Sequence, residues 1–438
     1  MSVIVGIRRE DKNRWERRVP LTPEAAAELQ SQHDLRFLVQ PSPIRVYTDD
    51  DYRQAGIELS EDLAPASLVF AVKEIPAALL LPGRAYVYFA HVIKGQRYNM
   101  PMLRRLLDLG CSLVDYERIA DDDNRRLIFF SLHAGYAGMI ETLWCLGQRW
   151  QVLGRPNPFT ELRHAYEYEG LSAAKDHLHQ LGERIAQQGF AGWDRPLVFG
   201  IAGYGNVARG CHEILNCLPV IEIPVEDLPA VSERPSAGAT PLLKVVFKEE
   251  DMVEPVMVGA KFDLQDYYRH PQKYRGTFAR HLPYLDVLVN TIYWDERYPR
   301  LVTRDWTRDH YGTGLTPRLQ VIGDISCDIE GSIELTLKPT EPDSPCYVYD
   351  PRHDAVSDGC AGDGPVIMAV DNLPCELPRE ASEHFSAALL NLAPQLAAAD
   401  WGAAYEQLDL PLHLKKALIV HQGELTAPYQ YLRQHLGT

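Results

Sequence analysis

The stretch 195–218, RPLVFGIAGYGNVARGCHEILNCL, decides the architecture. An apolar strand, LVFGIA, runs into Gly203, Tyr204, Gly205, Asn206, Val207 and Ala208, and a helix follows. Gly203, Gly205 and Ala208 fit the G-x-G-x-x-A pattern of a dinucleotide-binding turn. The first glycine permits the tight turn, and the second lets a pyrophosphate approach the backbone. The small third residue keeps the helix close to the sheet. The helix N-terminus then offers N–H groups and the positive end of its dipole to phosphate. A tight strand–helix turn without a ligand is the competing reading. An acid is expected about 20 residues on, at the end of the second strand, where it holds ribose hydroxyls. That region is PVIEIPVEDL (219–228), so Glu222, Glu226 and Asp227 are candidates. It contains no arginine to receive a 2′-phosphate, which favours NAD.

Outward from this unit, DVLVNTIYW (286–294) and LQVIGDISCD (319–328) read as further strands, and 229–240 reads as a loop. A second alternation occupies the N-terminal third. SVIVGI (2–7), RFLVQ (36–40), LVFAVKE (68–74), AYVYFA (85–90) and SLVDYERI (112–119) read as strands. TPEAAAELQSQ (22–32) and MPMLRRLLDLG (100–110) read as helices, the first with Thr22 as N-cap, Pro23 at N1 and Glu24 on the dipole, the second ending at Gly110. Such alternation predicts α/β architecture with mainly parallel sheets. Residues 137–154 read as a long apolar helix, and 380–399 and the segment to Thr438 as helical.

At 438 residues the chain calls for two domains. Its 60 acidic and 44 basic residues give a net charge of −16, which argues against a nucleic-acid binder. A locally basic cleft for anions stays compatible with that charge. Eight cysteines without a CxxC pair exclude a zinc ribbon or thioredoxin-type site. The charged start MSVIVGIRREDK and the lack of an apolar run of about 18 residues predict a cytoplasmic protein with reduced thiols and no membrane span.

Several titratable residues fall at strand ends. Lys73 and Glu74 close one strand; His91 and Lys94 follow the next. In a parallel sheet the carboxyl ends of neighbouring strands share the ligand-binding edge. Lys73 and His91 are therefore candidates for one acid–base site, although each alone reads equally as strand-end polarity. Arg17 and Arg18 follow the first strand, where a guanidinium can hold a carboxylate in bidentate fashion or simply cap a carbonyl. Asp324 and Asp328 end a strand of the second lobe, in a spacing that matches no known metal loop.

Longer stretches carry a resemblance. GIRREDKNRWERRVPLTP (6–23), AVKE (71–74), FAHVIKGQRYNMPML (89–103), AGYAGMIETL (134–143), LPYLDVLVNTIYWDERYPRL (282–301), GDISCDIEGSIE (323–334), MAVDNLPCELPREASEHF (368–385) and LHLKKALIVHQGELTAPYQYL (412–432) run nearly end to end. Together they resemble the lysine–ketoglutarate reductase family, the saccharopine-forming half of a bifunctional lysine-degrading enzyme. That family groups with the lysine-forming saccharopine dehydrogenases and, more distantly, with alanine dehydrogenase and transhydrogenase. The resemblance implies two Rossmann-like lobes with a cleft between them and C-terminal helices returning to the first lobe. The expected division is 1–140 plus 366–438 for substrate, 141–190 as a helical connector and 191–365 for the dinucleotide.

The implied activity is an NAD(P)-dependent reductase that condenses L-lysine with 2-oxoglutarate to saccharopine, or runs the reverse. The alternatives are another amino-acid or opine-type dehydrogenase on the same scaffold, or a non-catalytic NAD-binding protein. The resemblance assigns Lys73 as general base and acid and His91 as general acid. It makes Arg18 and Arg126 carboxylate binders, with Lys94 and Glu117 tuning the site. Gly203, Tyr204, Gly205, Asn206 and Val207 would hold the pyrophosphate, with Glu226 or Asp227 on the ribose, while Asp324, Ser326 and Asp328 would line the nicotinamide side. NAD or NADP is the implied cofactor, with NADP the choice of animal-type reductases. The implied partners are an amino acid and a 2-oxo acid, and no metal is required. A homodimer is expected from the apolar surface of the helices at 137–150 and 379–399.

Overall fold

In a computed structural model, residues 2–189, 195–232, 234, 242–311 and 317–437 are described. The apolar runs become strands because a parallel sheet covered on both faces buries every residue. Six come first: β1 Val3–Ile7, β2 Leu35–Val39, β3 Glu58–Leu59, β4 Leu68–Lys73, β5 Ala85–Phe89 and β6 Ser112–Asp115. All five residues of β5 and the first five of β4 are buried. The next ten are β7 Leu197–Ala202, β8 Val220–Glu222, β9 Leu242–Phe247, β10 Val253–Pro255, β11 Tyr274–Gly276, β12 Val287–Asn290, β13 Val321–Asp324, β14 Cys346–Asp350, β15 Ala355–Asp358 and β16 Val366–Met368. β17 Leu418–His421 and β18 Glu424–Leu425 complete them.

The chain forms two units, 1–130 with 378–438, and 131–377. The first unit holds one sheet in the order β18-β17-β6-β5-β4-β1-β2-β3, parallel except for β17 and β18. The second holds a sheet in the order β15-β14-β16-β13-β12-β7-β9-β8, parallel except for β14 and β15, plus the β10-β11 ribbon. The α/β architecture with two mainly parallel sheets is the one expected. Thr22 caps the helix Pro23–Gln32 by accepting the Ala25 N–H at 3.2 Å, with Pro23 opening it.

Several local expectations change. The segment after residue 399 is not uniformly helical: Leu418–His421 adds an antiparallel strand to β6, and Gln422 and Gly423 turn it into β18 with φ of 47° and 82°. The run LIVH is strand chemistry, and the turn supplies the left-handed pair that a tight hairpin needs. Leu228–Ser232 is a short helix at the start of the expected loop, of which residues 233 and 235–240 lie outside those described. Of residues 141–190, expected as a connector, 141–189 lie inside the second unit, where Leu143, Leu146, Leu178 and Leu181 join its core, and residue 190 lies outside those described. The helix Ser131–Val152 starts earlier than expected and buries its apolar side chains there. The helix Pro378–Leu390 buries Phe385 and Leu389 in the core of the first unit. The apolar surface that suggested a dimer is thus covered within each unit. No helix among the described residues is long and apolar enough to cross a membrane.

Candidate active site

β4 and β5 are parallel neighbours, with Lys73 in register with Phe89, so their carboxyl ends open at one edge. His91 lies two residues beyond β5 with φ of 48°, a left-handed backbone uncommon outside glycine. Asn99 holds that turn, donating from Nδ2 to the carbonyls of Ala90 at 2.9 Å and His91 at 3.2 Å. Nδ1 of His91 is 3.2 Å from Oε2 of Glu74, and Lys12 Nζ donates to Glu74 Oε1 at 2.7 Å. Burial works to raise the Glu74 carboxyl, but the bonds from His91 and Lys12 outweigh it and hold it at about 2. An ionised Glu74 only accepts, so Nδ1 donates to it and Nε2 is the nitrogen left for other partners.

Lys73 is pushed below the ordinary lysine value, first by burial and next by the Arg18 guanidinium, against the pull of Glu16 and Glu74. Lys12 adds to the lowering. The cations near Lys73 are thus Arg18 and Lys12; Lys94 is exposed, and its backbone N–H donates to Gln96 Oε1 at 3.0 Å. Among the described residues no hydrogen bond or ion pair joins Lys94 to this group.

Arg18 is buried, and its fork closes on the protein's own Glu16: Nε to Oε1 at 2.7 Å and Nη2 to Oε2 at 2.5 Å. The guanidinium also lies 4.3 Å over the Phe130 ring. The adjacent Arg17 caps the Ile44 carbonyl at 3.1 Å. Arg126 is half exposed and donates to Glu117 Oε1 at 2.6 Å, whereas Arg125 pairs with Asp121 and Asp123. Glu117 follows β6, and its N–H is held by Asp115 at 2.9 Å. Burial pushes the Asp115 carboxyl up to about 7.

Like Glu16 and Asp115, a further buried acid escaped the sequence reading. Glu10 accepts the N–H groups of Val72 and Lys73 at 2.7 and 3.0 Å. Burial, reinforced by Glu16, raises its carboxyl to about 8. Its only signal was a carboxylate in the charged run after β1.

In the second unit, Ala202, Phe247 and Asn290 end β7, β9 and β12 in register. The glycine turn starts there. Gly203 has φ of 103°, and a Cβ on it would lie 2.7 Å from Thr291 Oγ1. Gly205 caps the helix Asn206–Leu215, with nothing within 4 Å of an added Cβ. A pocket of about 460 Å³ opens here, lined among others by Gly203, Tyr204, Gly205, Glu249 and Tyr268. Its open front and the N–H groups of the helix suit a pyrophosphate.

The acids expected at the ribose stand at the sheet edge. β8 follows β7 in the chain but sits at that edge, and β9 lies between them. Glu226 and Asp227 occupy a 3₁₀ turn after β8. The acid beyond the strand that adjoins β7 is Glu249. A strand order read as chain order cannot show this.

Asp324 ends β13 fully buried, accepting from Asn290 Nδ2 at 2.7 Å and Thr336 Oγ1 at 2.5 Å. Burial raises its carboxyl to about 6. It braces β12 to β13 with its own carboxylate fully engaged. Ser326 donates to the Ile292 carbonyl at 2.7 Å, and Asp328 is exposed in the following turn.

Residues 6–137 match the alanine dehydrogenase/PNT N-terminal domain, and residues 258–428 the C-terminal domain. Over 98% of the chain it is 39% identical to the alpha-aminoadipic semialdehyde synthase of Arabidopsis thaliana, covering 41% of that protein. Over 99% it is 31% identical to the mitochondrial alpha-aminoadipic semialdehyde synthase of Bos taurus, covering 48%. The chain thus spans less than half the length of these relatives. A lysine-forming, NAD(+) saccharopine dehydrogenase of Yarrowia lipolytica is 25% identical, over 87% of this chain and 89% of its own. Among solved structures, an L-alanine dehydrogenase aligns over 99% of this chain and all of its own, with a TM-score of 0.61 at 19% identity, a likeness of fold. With both domain models matched in order along the chain, it belongs to the alanine dehydrogenase/PNT family of nicotinamide-dependent oxidoreductases.

Proposed function

We propose that the chain is an NAD(P)-dependent reductase that joins L-lysine to 2-oxoglutarate, giving saccharopine, or runs the same reaction in reverse. The observation that carries this is a half-buried lysine and a carboxylate-anchored histidine at the ends of neighbouring parallel strands, Lys73 and His91. The names of the relatives, which include lysine-forming saccharopine dehydrogenases, agree with it.

The condensation needs a neutral amine, then loss of water, then reduction of the imine. Lys73, its proton affinity lowered by burial and by Arg18, takes the proton from the substrate ammonium. Protonated His91 passes a proton from Nε2 to the departing hydroxyl, and Glu74 on Nδ1 keeps the ring turned that way. Arg126, half exposed and held by Glu117, is placed to receive a substrate carboxylate. Arg18 acts on Lys73 through its charge, since Glu16 already fills its fork. The turn Gly203 to Val207 holds the dinucleotide, which supplies the hydride when bound. Eight free thiols suit a reducing compartment, and the cytoplasm is the location in this reading.

An NAD(P)H-oxidation assay crossing lysine, ornithine, alanine and ammonia with 2-oxoglutarate, pyruvate and glyoxylate tests the proposal. Oxidation confined to lysine with 2-oxoglutarate is expected. Turnover of ammonia with pyruvate, and none with lysine, would replace it with an alanine dehydrogenase activity.

A further inference from the structure

We propose that Tyr431 is a positioning residue that holds the loop carrying His91 and Lys94. The proposal rests on the reading of His91 as the general acid. It gives a task to APYQYL (427–432), the end of a stretch that carries the family resemblance.

Beyond β5, consecutive backbone carbonyls are each tied. Asn99 Nδ2 donates to those of Ala90 and His91, at 2.9 and 3.2 Å. The Gly95 N–H takes that of Val92 at 2.9 Å, closing a turn in which Gly95 has φ of 68°. The Ile93 carbonyl accepts the Tyr431 hydroxyl at 2.6 Å. Asn99 and Gly95 lie close by in the chain, whereas Tyr431 reaches Ile93 from 338 residues away. A Cβ on Gly95 would lie 2.6 Å from the His435 ring, so the helix Arg433–Leu436 packs directly on the same turn.

The segment that brings Tyr431 is itself fixed. Tyr429 and Leu432 are buried in the core of the first unit. The Tyr429 hydroxyl donates to the Lys416 carbonyl at 2.8 Å and accepts from Arg118 Nε at 3.1 Å. Arg433 Nη2 pairs with Glu424 Oε2 at 3.0 Å. Tyr431 is 45% exposed between these anchors, so its ring fills no core and its hydroxyl makes the tie.

His91 stands in the left-handed region and must meet Glu74 with one nitrogen and the substrate with the other. A ring carried on a tied backbone reaches the reacting atoms without a search, and small misplacements are costly in rate. The Ile93 carbonyl lies two residues past His91 and directly before Lys94. Its release lets the loop shift and spreads the position of Nε2.

Tyr431→Phe in the full chain removes the hydroxyl and keeps the ring. Hydrogen exchange at the Gly95 and Asn99 amides, both bonded within the loop, should speed up roughly three- to tenfold, the scale of one hydrogen bond. With lysine and 2-oxoglutarate, kcat should fall by a similar factor while NADH affinity stays within about twofold. In a His91→Gln background the same change should cost less than about twofold, because it acts through His91. The melting temperature should stay within about 2 °C of wild type, which separates lost positioning from lost fold. Unchanged exchange would overturn the proposal whatever the reaction. An equal loss of kcat with and without His91 would also overturn it. Absence of wild-type turnover with lysine and 2-oxoglutarate would overturn the reaction reading alone, and exchange would still decide the tie.

Discussion

Glu10 accepts the backbone N–H of Lys73 at 3.0 Å, so a side chain from beyond β1 holds the end of β4 where the candidate base sits. Its other oxygen takes the N–H of Val72. β1 stops at Ile7, and the Arg8 N–H makes the last backbone bond to β4, at the Phe70 carbonyl. Glu10 supplies from its side chain the acceptors that the ladder ceases to provide.

That burial has a pH signature. The Glu10 carboxyl is raised in the folded chain from 4.5 to about 8. The folded state therefore binds this proton more tightly than the unfolded state, and stability falls as pH rises between those values. Glu10→Gln removes the ionisation but sets an amide nitrogen against one of the two N–H donors. The variant should melt below wild type near pH 4.5, and the difference should shrink by pH 9. Parallel melting curves across that range would show that Glu10 is not titrating.

Lys73→Met and His91→Gln should each lower turnover by roughly 10²-fold or more while NADH affinity stays within about threefold. The measurements are steady-state rates and a fluorescence titration. Near-normal rates in both variants would remove them from the chemistry.

Glu74→Gln takes the charge from His91 Nδ1, and turnover should fall roughly tenfold, part of what a general acid contributes. The Glu74 carboxyl is depressed in the folded chain, from 4.5 to about 2. Its stabilisation is therefore present above pH 4.5 and lost as pH falls toward 2. The variant should show a shallower acid-unfolding curve over that interval; an identical curve contradicts the Glu74–His91 bond.

The two glycines of the turn should separate. Gly203→Val places a Cβ against Thr291 on a backbone with φ of 103°, so both melting temperature and nucleotide binding should fall. Gly205→Ala meets nothing within 4 Å, so it should melt like wild type while binding NADH more weakly, since only the ligand approaches there. Unchanged binding in Gly205→Ala would mark the turn as structural only.

Much of this was legible along the chain. The strands β1, β2, β4, β5, β6, β7, β12 and β13, the Thr22 cap and the glycine turn follow from local patterning. Lys73 and His91 could be paired because parallel strands put their carboxyl ends on one edge. Such features depend on residues a few positions apart. Other relationships depend on which strand lies beside which. The sequence order β7, β8, β9 hid the exchange that makes Glu249, and not Glu226 or Asp227, the acid next to the glycine turn.

Likewise, a bidentate fork at Arg18 was predictable, but its occupation by Glu16 was not, because two residues two apart can point together or apart. The run LIVH became an edge strand because β6 offered it a ladder. The sequence by itself determined two α/β units, a glycine turn between strand and helix, and a lysine and a histidine at neighbouring strand ends, since period, turn chemistry and strand polarity are local. Only the tertiary structure decided which carboxylate meets which cation, because burial and charge pairing are set by neighbours distant in the chain.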